Sequence, residues 1–154
     1  MMYAVIRVRG KVNVNYSIRD TMKYLRLNKV NHCVLIPDTP YYTGMLKKAK
    51  DYITWGEVSP QTIRELIIKR GRLVGDKPLT PGYVQKKTDF KDINELIKAI
   101  HRGKVDYKKL NEIKPLFRLA PPLKGYEGIK RSFVEGGALG YRGKKINDLI
   151  GRMI

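Results

Sequence analysis

YAVIRVRG, residues 3–10, decides how the first part of this chain folds. Ala4, Ile6 and Val8 fall on one side of an extended backbone, and Tyr3, Val5, Arg7 and Arg9 on the other. Side chains of a strand alternate between faces, so the pattern predicts a half-buried strand stopped by Gly10. Working outward, Ser17 is predicted to cap a helix, with Asp20 as its capping-box partner three residues on. Ile18, Met22 and Leu25 give that helix its apolar stripe. Residues 31–36 predict a second strand ended by Pro37. Asp38-Thr39-Pro40 places an acceptor side chain before a proline at the first helical position, a helix start. Met45, Leu46, Ala49 and Ile53 are its predicted buried face. Residues 52–58, YITWGEV, predict a third short strand. Strand, helix, strand, helix, strand within 58 residues implies an α+β sandwich with helices on one face of the sheet.

The remainder extends that core, giving a division into a core domain at 1–58 and a C-terminal extension at 59–154. Ser59-Pro60 opens a third helix with Ile63, Leu66 and Ile67 as its stripe and Gly71 as its stop. Residues 72–91 read as a linker with one helical turn from Thr80. Residues 92–102 predict a helix carrying Ile93, Leu96, Ile97 and Ile100, stopped by Gly103. A short helix is expected at 106–113. Residues 115–145 are rich in Gly, Pro and cations, and are expected to be irregular and to need a surface to lie against. Residues 145–153 close the chain with a helix bearing Ile146, Leu149, Ile150 and Met153.

Charge decides the class of partner. The 154 residues carry 32 Lys and Arg against 14 Asp and Glu, a net charge of +18. A chain so charged repels itself until a polyanion neutralises it. Residues 1–57 hold 10 basic and 4 acidic side chains and residues 58–154 hold 22 and 10, so cations occur on every segment. A membrane binder would concentrate them on one amphipathic helix or cluster. No apolar run approaches the roughly 20 residues of a membrane span. Cys33 stands alone, which suits a reducing compartment, and the chain is expected to be cytoplasmic.

Catalytic chemistry finds little support. Gly143-Lys144 fails as the end of a phosphate-binding loop, because Ala138 stands where the first glycine belongs and Lys145 where Ser or Thr is required. Glu135 likewise occupies the first glycine position of a dinucleotide fingerprint. His32 and Cys33 are neighbours on a strand and point apart. Two His and one Cys leave neither a metal set nor a nucleophile–base pair, and Asp20, Asp38 and Asp92 have capping roles. No catalytic residue, metal or cofactor is expected. Tyr126 and Tyr141 lie in the basic irregular segment, where they can stack on bases. The K/R-G-F-x-F pattern of RNA-recognition sheets is absent, so shape and backbone contact with folded RNA are the better expectation. Candidate contacts are Arg7, Arg9 and Lys11 at the first strand's end, and Lys69, Arg70 and Arg72 at the third helix's end. Lys124, Lys130, Arg131, Arg142, Lys144 and Lys145 complete the set.

The order of motifs resembles the large-subunit ribosomal protein L-thirty family, called L-seven in eukaryotes. YAVIRVRG leads to VNHCVLIPDTPYYTGMLKKAKDYITWGE, in which Asp38, Thr39, Pro40, Gly44 and Met45 open the second helix. Trp55 and Gly56, then ELIIKRG, FVEGG, a G-x-R-G and a closing helix resemble the longer archaeal and eukaryotic branch. The long basic N-terminal arm of eukaryotic forms is missing, which favours the archaeal type. The resemblance implies a ferredoxin-like core, a three-stranded antiparallel sheet backed by two helices, with the later segments wrapped around it. It also implies a structural constituent of the large ribosomal subunit that binds large-subunit rRNA near 5S rRNA, beside other ribosomal proteins, without catalytic activity. The alternatives are a free-standing RNA chaperone or RNA-processing factor, and an RNA-modifying or nucleotide-using enzyme.

Overall fold

A computed structural model describes residues 2–87, 90–104, 107 and 113–154. The elements in chain order are β1 (Met2–Arg7), α1 (Tyr16–Tyr24), β2 (His32–Pro37), α2 (Pro40–Lys48), β3 (Ile53–Glu57), α3 (Pro60–Arg70), α4 (Pro81–Lys87), α5 (Ile93–His101), β4 (Phe117–Arg118), β5 (Gly128–Ser132), β6 (Gly137–Tyr141) and α6 (Ile146–Met153). The helix expected at 106–113 lies mostly outside the described residues.

β1 is the hub. It pairs antiparallel with β2, Ala4 facing Leu35, and antiparallel with β3, Ala4 facing Gly56. Those three strands form the expected antiparallel core. The expectation of three strands is corrected by the C-terminal half: among the described residues the sheet has six, in the order β4-β2-β1-β3-β6-β5. β4 adds antiparallel to β2, whereas β6 runs parallel to β3 and β5 parallel to β6.

β1 is buried on both faces rather than half-buried. Ala4 and Ile6 share one core with Cys33 and Leu35 of β2. Val5 faces another, with Val34, Ile36, Ile53 and Trp55. α1 and α2 cover the Val5 face through Met22, Leu25 and Leu46. The opposite face, which the first 58 residues alone would leave open, is covered by Ile63, Leu66 and Ile67 of α3, Leu96 and Ile100 of α5, and Leu149 and Ile150 of α6. Helices therefore occupy both faces of the sheet.

Local capping explains where most helices begin. Thr39 accepts from the Tyr42 N–H, Ser59 from Thr62 and Asp92 from Glu95, each satisfying a donor left free in a first turn. α1 starts earlier than expected. Asn15, not Ser17, is its cap, and accepts from the Ser17 N–H at 2.9 Å. Gly71 does stop α3, though its φ is −63° and no left-handed turn is involved. A Cβ there would lie 2.3 Å from the Ile67 carbonyl oxygen, so the residue must be small.

The segment expected to be irregular, 115–145, contains β4, β5 and β6. Its glycines permit backbones to touch rather than preventing strands. A Cβ on Gly137 would stand 2.1 Å from the Arg131 carbonyl oxygen, and one on Gly56 of β3 would stand 1.9 Å from that of Gly143. Gly56→Ala is expected to lower the unfolding free energy by about 3 kcal/mol, as overpacking against rigid backbone does. Urea denaturation followed by circular dichroism measures this. Cys33 is fully buried, and burial pushes its thiol from 9.0 to about 12. It should therefore resist a thiol reagent at neutral pH until the chain unfolds. Because the folded pKa is raised, its contribution is intact below pH 9 and is lost as pH climbs toward 12.

Candidate nucleic-acid interface

The cations divide into those turned inward and those presented to solvent. Arg7 is only 3% exposed. Its Nε donates to the Arg9 carbonyl at 2.9 Å and its Nη1 to the Leu27 carbonyl at 2.8 Å, while Nη2 has no protein partner. Burial, then the neighbouring Arg19 charge, lowers its pKa. Arg142 is 5% exposed. Its Nε donates to Thr54 Oγ1 and its Nη2 to the Ala138 carbonyl, both at 2.8 Å. Its guanidinium lies 5.0 Å from the Phe133 ring centroid, with Glu127 3.8 Å away. Two of the twelve candidate contacts are thus committed to internal acceptors, three carbonyls and the Thr54 hydroxyl. Arg142 joins β3 to β6, and Arg7 ties the end of β1 to the segment after α1.

The others reach solvent. Arg9 is half-buried, its guanidinium 5.1 Å from the Tyr52 ring centroid, and donates to the Asp51 carbonyl at 3.4 Å. Lys11 is exposed beside Arg19 and Lys23 of α1, around a hollow of about 310 Å³. Lys69 is exposed at the end of α3. Arg70 and Arg72 meet Arg118 and Asp76 around a second hollow of about 340 Å³. Asp76 accepts from Lys114 at 2.6 Å and Arg118 at 3.0 Å, and the Lys114 hydrogen bond chiefly holds its carboxyl below the usual range.

Lys124 is exposed in a left-handed turn, φ +66°, ahead of β5. Lys130 and Arg131 project from β5 at the sheet's edge. Lys144 and Lys145 are exposed in the 3-10 turn before α6. Lys144 shares a hollow of about 560 Å³ with His101, Arg102 and Glu57. The structure brings the candidates to several separate places, not one patch.

The two candidate stacking tyrosines differ. Tyr126 is half-buried and donates to Asn31 Oδ1 at 2.5 Å, so it is a packing residue; burial raises its pKa. Tyr141 is 47% exposed. Its hydroxyl donates to Glu57, which raises its pKa to about 12, and its ring lies at an edge to Tyr3. Arg19, Lys23, Arg26 and Arg118 escaped the sequence reasoning. The four-residue spacing of Arg19 and Lys23 on one helix was a visible signal; nothing local places Arg118 beside Arg72.

Among the described residues no group of three or more His, Cys, Asp or Glu could hold a metal ion. His32 is half-buried with Nδ1 unpartnered, and burial, followed by nearby cations, lowers its pKa. The surface offers positive charge and aromatic faces, the means of gripping a polyanion. Inward and outward cations should behave oppositely. Arg142→Leu is expected to cost about 3 kcal/mol of stability, since it removes the buried hydrogen bonds to the Thr54 hydroxyl and the Ala138 carbonyl. Lys144→Gln should change stability by less than about 0.5 kcal/mol. Parallel denaturation curves of the two variants check this.

Comparison with known proteins supplies the chain's relatives. The family model described as "Ribosomal protein L30p/L7e" matches residues 3–53, from β1 to the start of β3. The large ribosomal subunit protein uL30 of Methanoculleus marisnigri is 53% identical over 152 residues, 99% of each chain. That of Methanococcus maripaludis is 54% identical over 156 residues, all of both chains. That of Methanosphaera stadtmanae is 51% identical over 153 residues, covering 99% of this chain and 100% of its own. Identity of this degree over the whole length settles the kinship: the chain belongs to the family of large ribosomal subunit protein uL30.

Proposed function

We propose that this protein is a structural, non-enzymatic constituent of the large ribosomal subunit, bound to its rRNA through backbone phosphates and shape. The observation that carries this is the distribution of a net +18 charge over several separate exposed clusters. A single ligand would need one basic site. A folded RNA that surrounds much of the protein needs several. Family membership adds the particle: its relatives bear the name of a large-subunit protein.

The contacts we assign are Arg9 and Lys11, Lys69, Arg70 and Arg72, and Lys124, Lys130, Arg131, Lys144 and Lys145. A position near 5S rRNA and beside other large-subunit proteins belongs to the same proposal, as does residence in the cytoplasmic ribosome. Phosphate contact implies counterion release, so affinity should fall steeply with salt, by a slope of roughly −0.7 to −0.9 per phosphate neutralised.

Sucrose-gradient sedimentation of a lysate after a high-salt wash tests the assignment. Retention in the large-subunit peak at one copy per particle is the expected result; release into the light fractions would overturn it. Replacing Lys124, Lys130, Arg131, Lys144 and Lys145 together by Gln should weaken rRNA binding and flatten its salt dependence, with a native circular dichroism spectrum. An unchanged affinity would remove those five from the interface.

A further inference from the structure

The outer edge of α1 carries two adjoining features, of which the assigned contacts include only Lys11. On one side lies the basic hollow lined by Arg7, Lys11, Arg19 and Lys23, with Leu27 and Asn28. Among the described residues neither Arg19 nor Lys23 makes an ion pair, and no carboxylate lines the hollow. The buried Arg7 adds a charge held in place by two carbonyls; burial first, and then the neighbouring Arg19 charge, lowers its pKa. On the other side is a groove of about 540 Å³ lined by Tyr16, Asp20, Lys23, Tyr24 and Arg26. Lys23 belongs to both.

Tyr16, Asp20 and Tyr24 are spaced four apart and share one helix face. The tyrosines are 75% and 71% exposed, and neither ring meets another aromatic among the described residues. Arg26 is the third observation. It follows the α1 C-cap with φ +63°, where glycine is the favoured residue. Its N–H donates to the Lys23 carbonyl and that of Leu27 to the Met22 carbonyl, both bonds of a Schellman stop. A long cation held in a conformation suited to glycine, at the rim of an aromatic groove, marks a site where the side chain matters.

We propose that this edge binds a single unpaired nucleotide of RNA, its phosphate in the basic hollow and its base against the tyrosines. The inference rests on the RNA-binding assignment and deepens it. Lys23 bridges the two halves. Arg26 supplies a planar cation for the base or the next phosphate. Asp20, the one carboxylate in the groove, repels phosphate there and accepts hydrogen bonds from base amino groups. The sum of charge around both halves is strongly positive, which selects a nucleic acid over an acid-poor protein segment as the occupant. The feature asks for an unstacked base because stacking on a tyrosine needs an open π-face, which a paired helix does not offer.

Fluorescence anisotropy on the full chain tests this, with a short single-stranded RNA and a blunt RNA duplex of equal phosphate count as probes. Replacing Tyr16 and Tyr24 together by Ala should weaken single-strand binding at least about fivefold, while duplex binding and the salt slope stay as in the parent. Replacing Arg19 and Lys23 together by Gln should weaken both probes and flatten the salt slope by about one to two. Arg26→Gly should keep or raise the Tm, because it relieves the left-handed backbone, and still weaken single-strand binding. Single-strand affinity unchanged in the tyrosine variant would overturn the nucleotide site and leave the groove to a protein neighbour, with the wider RNA assignment intact. A parent protein that binds neither probe at low salt would overturn both.

Discussion

Everything in this molecule depends on β1 having no solvent face. Val5, Ala4 and Ile6 are each fully buried, the first under α1 and α2 and the other two under α3, α5 and α6. Burying one such aliphatic side chain contributes about 1.5–3 kcal/mol, so neither layer is optional. Double burial removes the usual guide to register. A strand with one polar face cannot slip by a residue without inverting its pattern, but one that is apolar on both faces can. Here the ends of the strand settle it. Arg7 has to lie where the Leu27 and Arg9 carbonyls are, and Gly56 has to oppose Ala4 where β3 comes against Gly143.

The same division between inside and outside governs the cations. A buried guanidinium must find carbonyls, and Arg7 and Arg142 do. Each thereby stitches together elements distant in sequence. The exposed Lys and Arg side chains have few acids to answer them. Asp76 serves both Lys114 and Arg118, and Glu127 lies near both Arg142 and Arg152. The pairs of Asp76 and of Arg152 are open to solvent and add little stability, whereas Glu127 also lies 3.8 Å from the buried Arg142. The exposed pairs keep cations oriented on a surface that would otherwise repel itself.

Much of this was legible in the residues, for reasons that are local. Thr39-Pro40, Ser59-Pro60 and Asp92 announce helix starts because a cap and its donor lie three residues apart. The stripes of α3, α5 and α6 are buried as their spacing indicates. Other features resist local reasoning. Asn15 outcompetes Ser17 because either side chain can serve as the acceptor at the start of α1, and spacing does not choose between them. β5 and β6 hide in glycine-rich sequence because their parallel pairing is long-range and their glycines serve close approach. For the interface, sequence indicates which residues carry charge but not which way they point. Arg142 and Lys144 look alike in GYRGKK, yet the Thr54 hydroxyl and the Ala138 carbonyl draw only the first inward. Arg118 joins Arg72 only through β4 pairing with β2.

The two layers are made in a fixed order along the chain. Chains emerge from synthesis N-terminus first, so β1, α1, β2, α2 and β3 precede the helices that cover the sheet's other face. Their union seals the Val5 side of the sheet and leaves Ala4, Ile6, Cys33 and Leu35 facing outward. That apolar surface persists through the making of α3 and α5 and is finally closed by Ile146–Met153. A product truncated before α6 therefore lacks Ile146, Leu149, Ile150 and Met153 and leaves the apolar side chains they cover open to water. The face opposite Val5 is thus sealed by residues about 140 positions away from the strand they cover, so closing it is a long-range event.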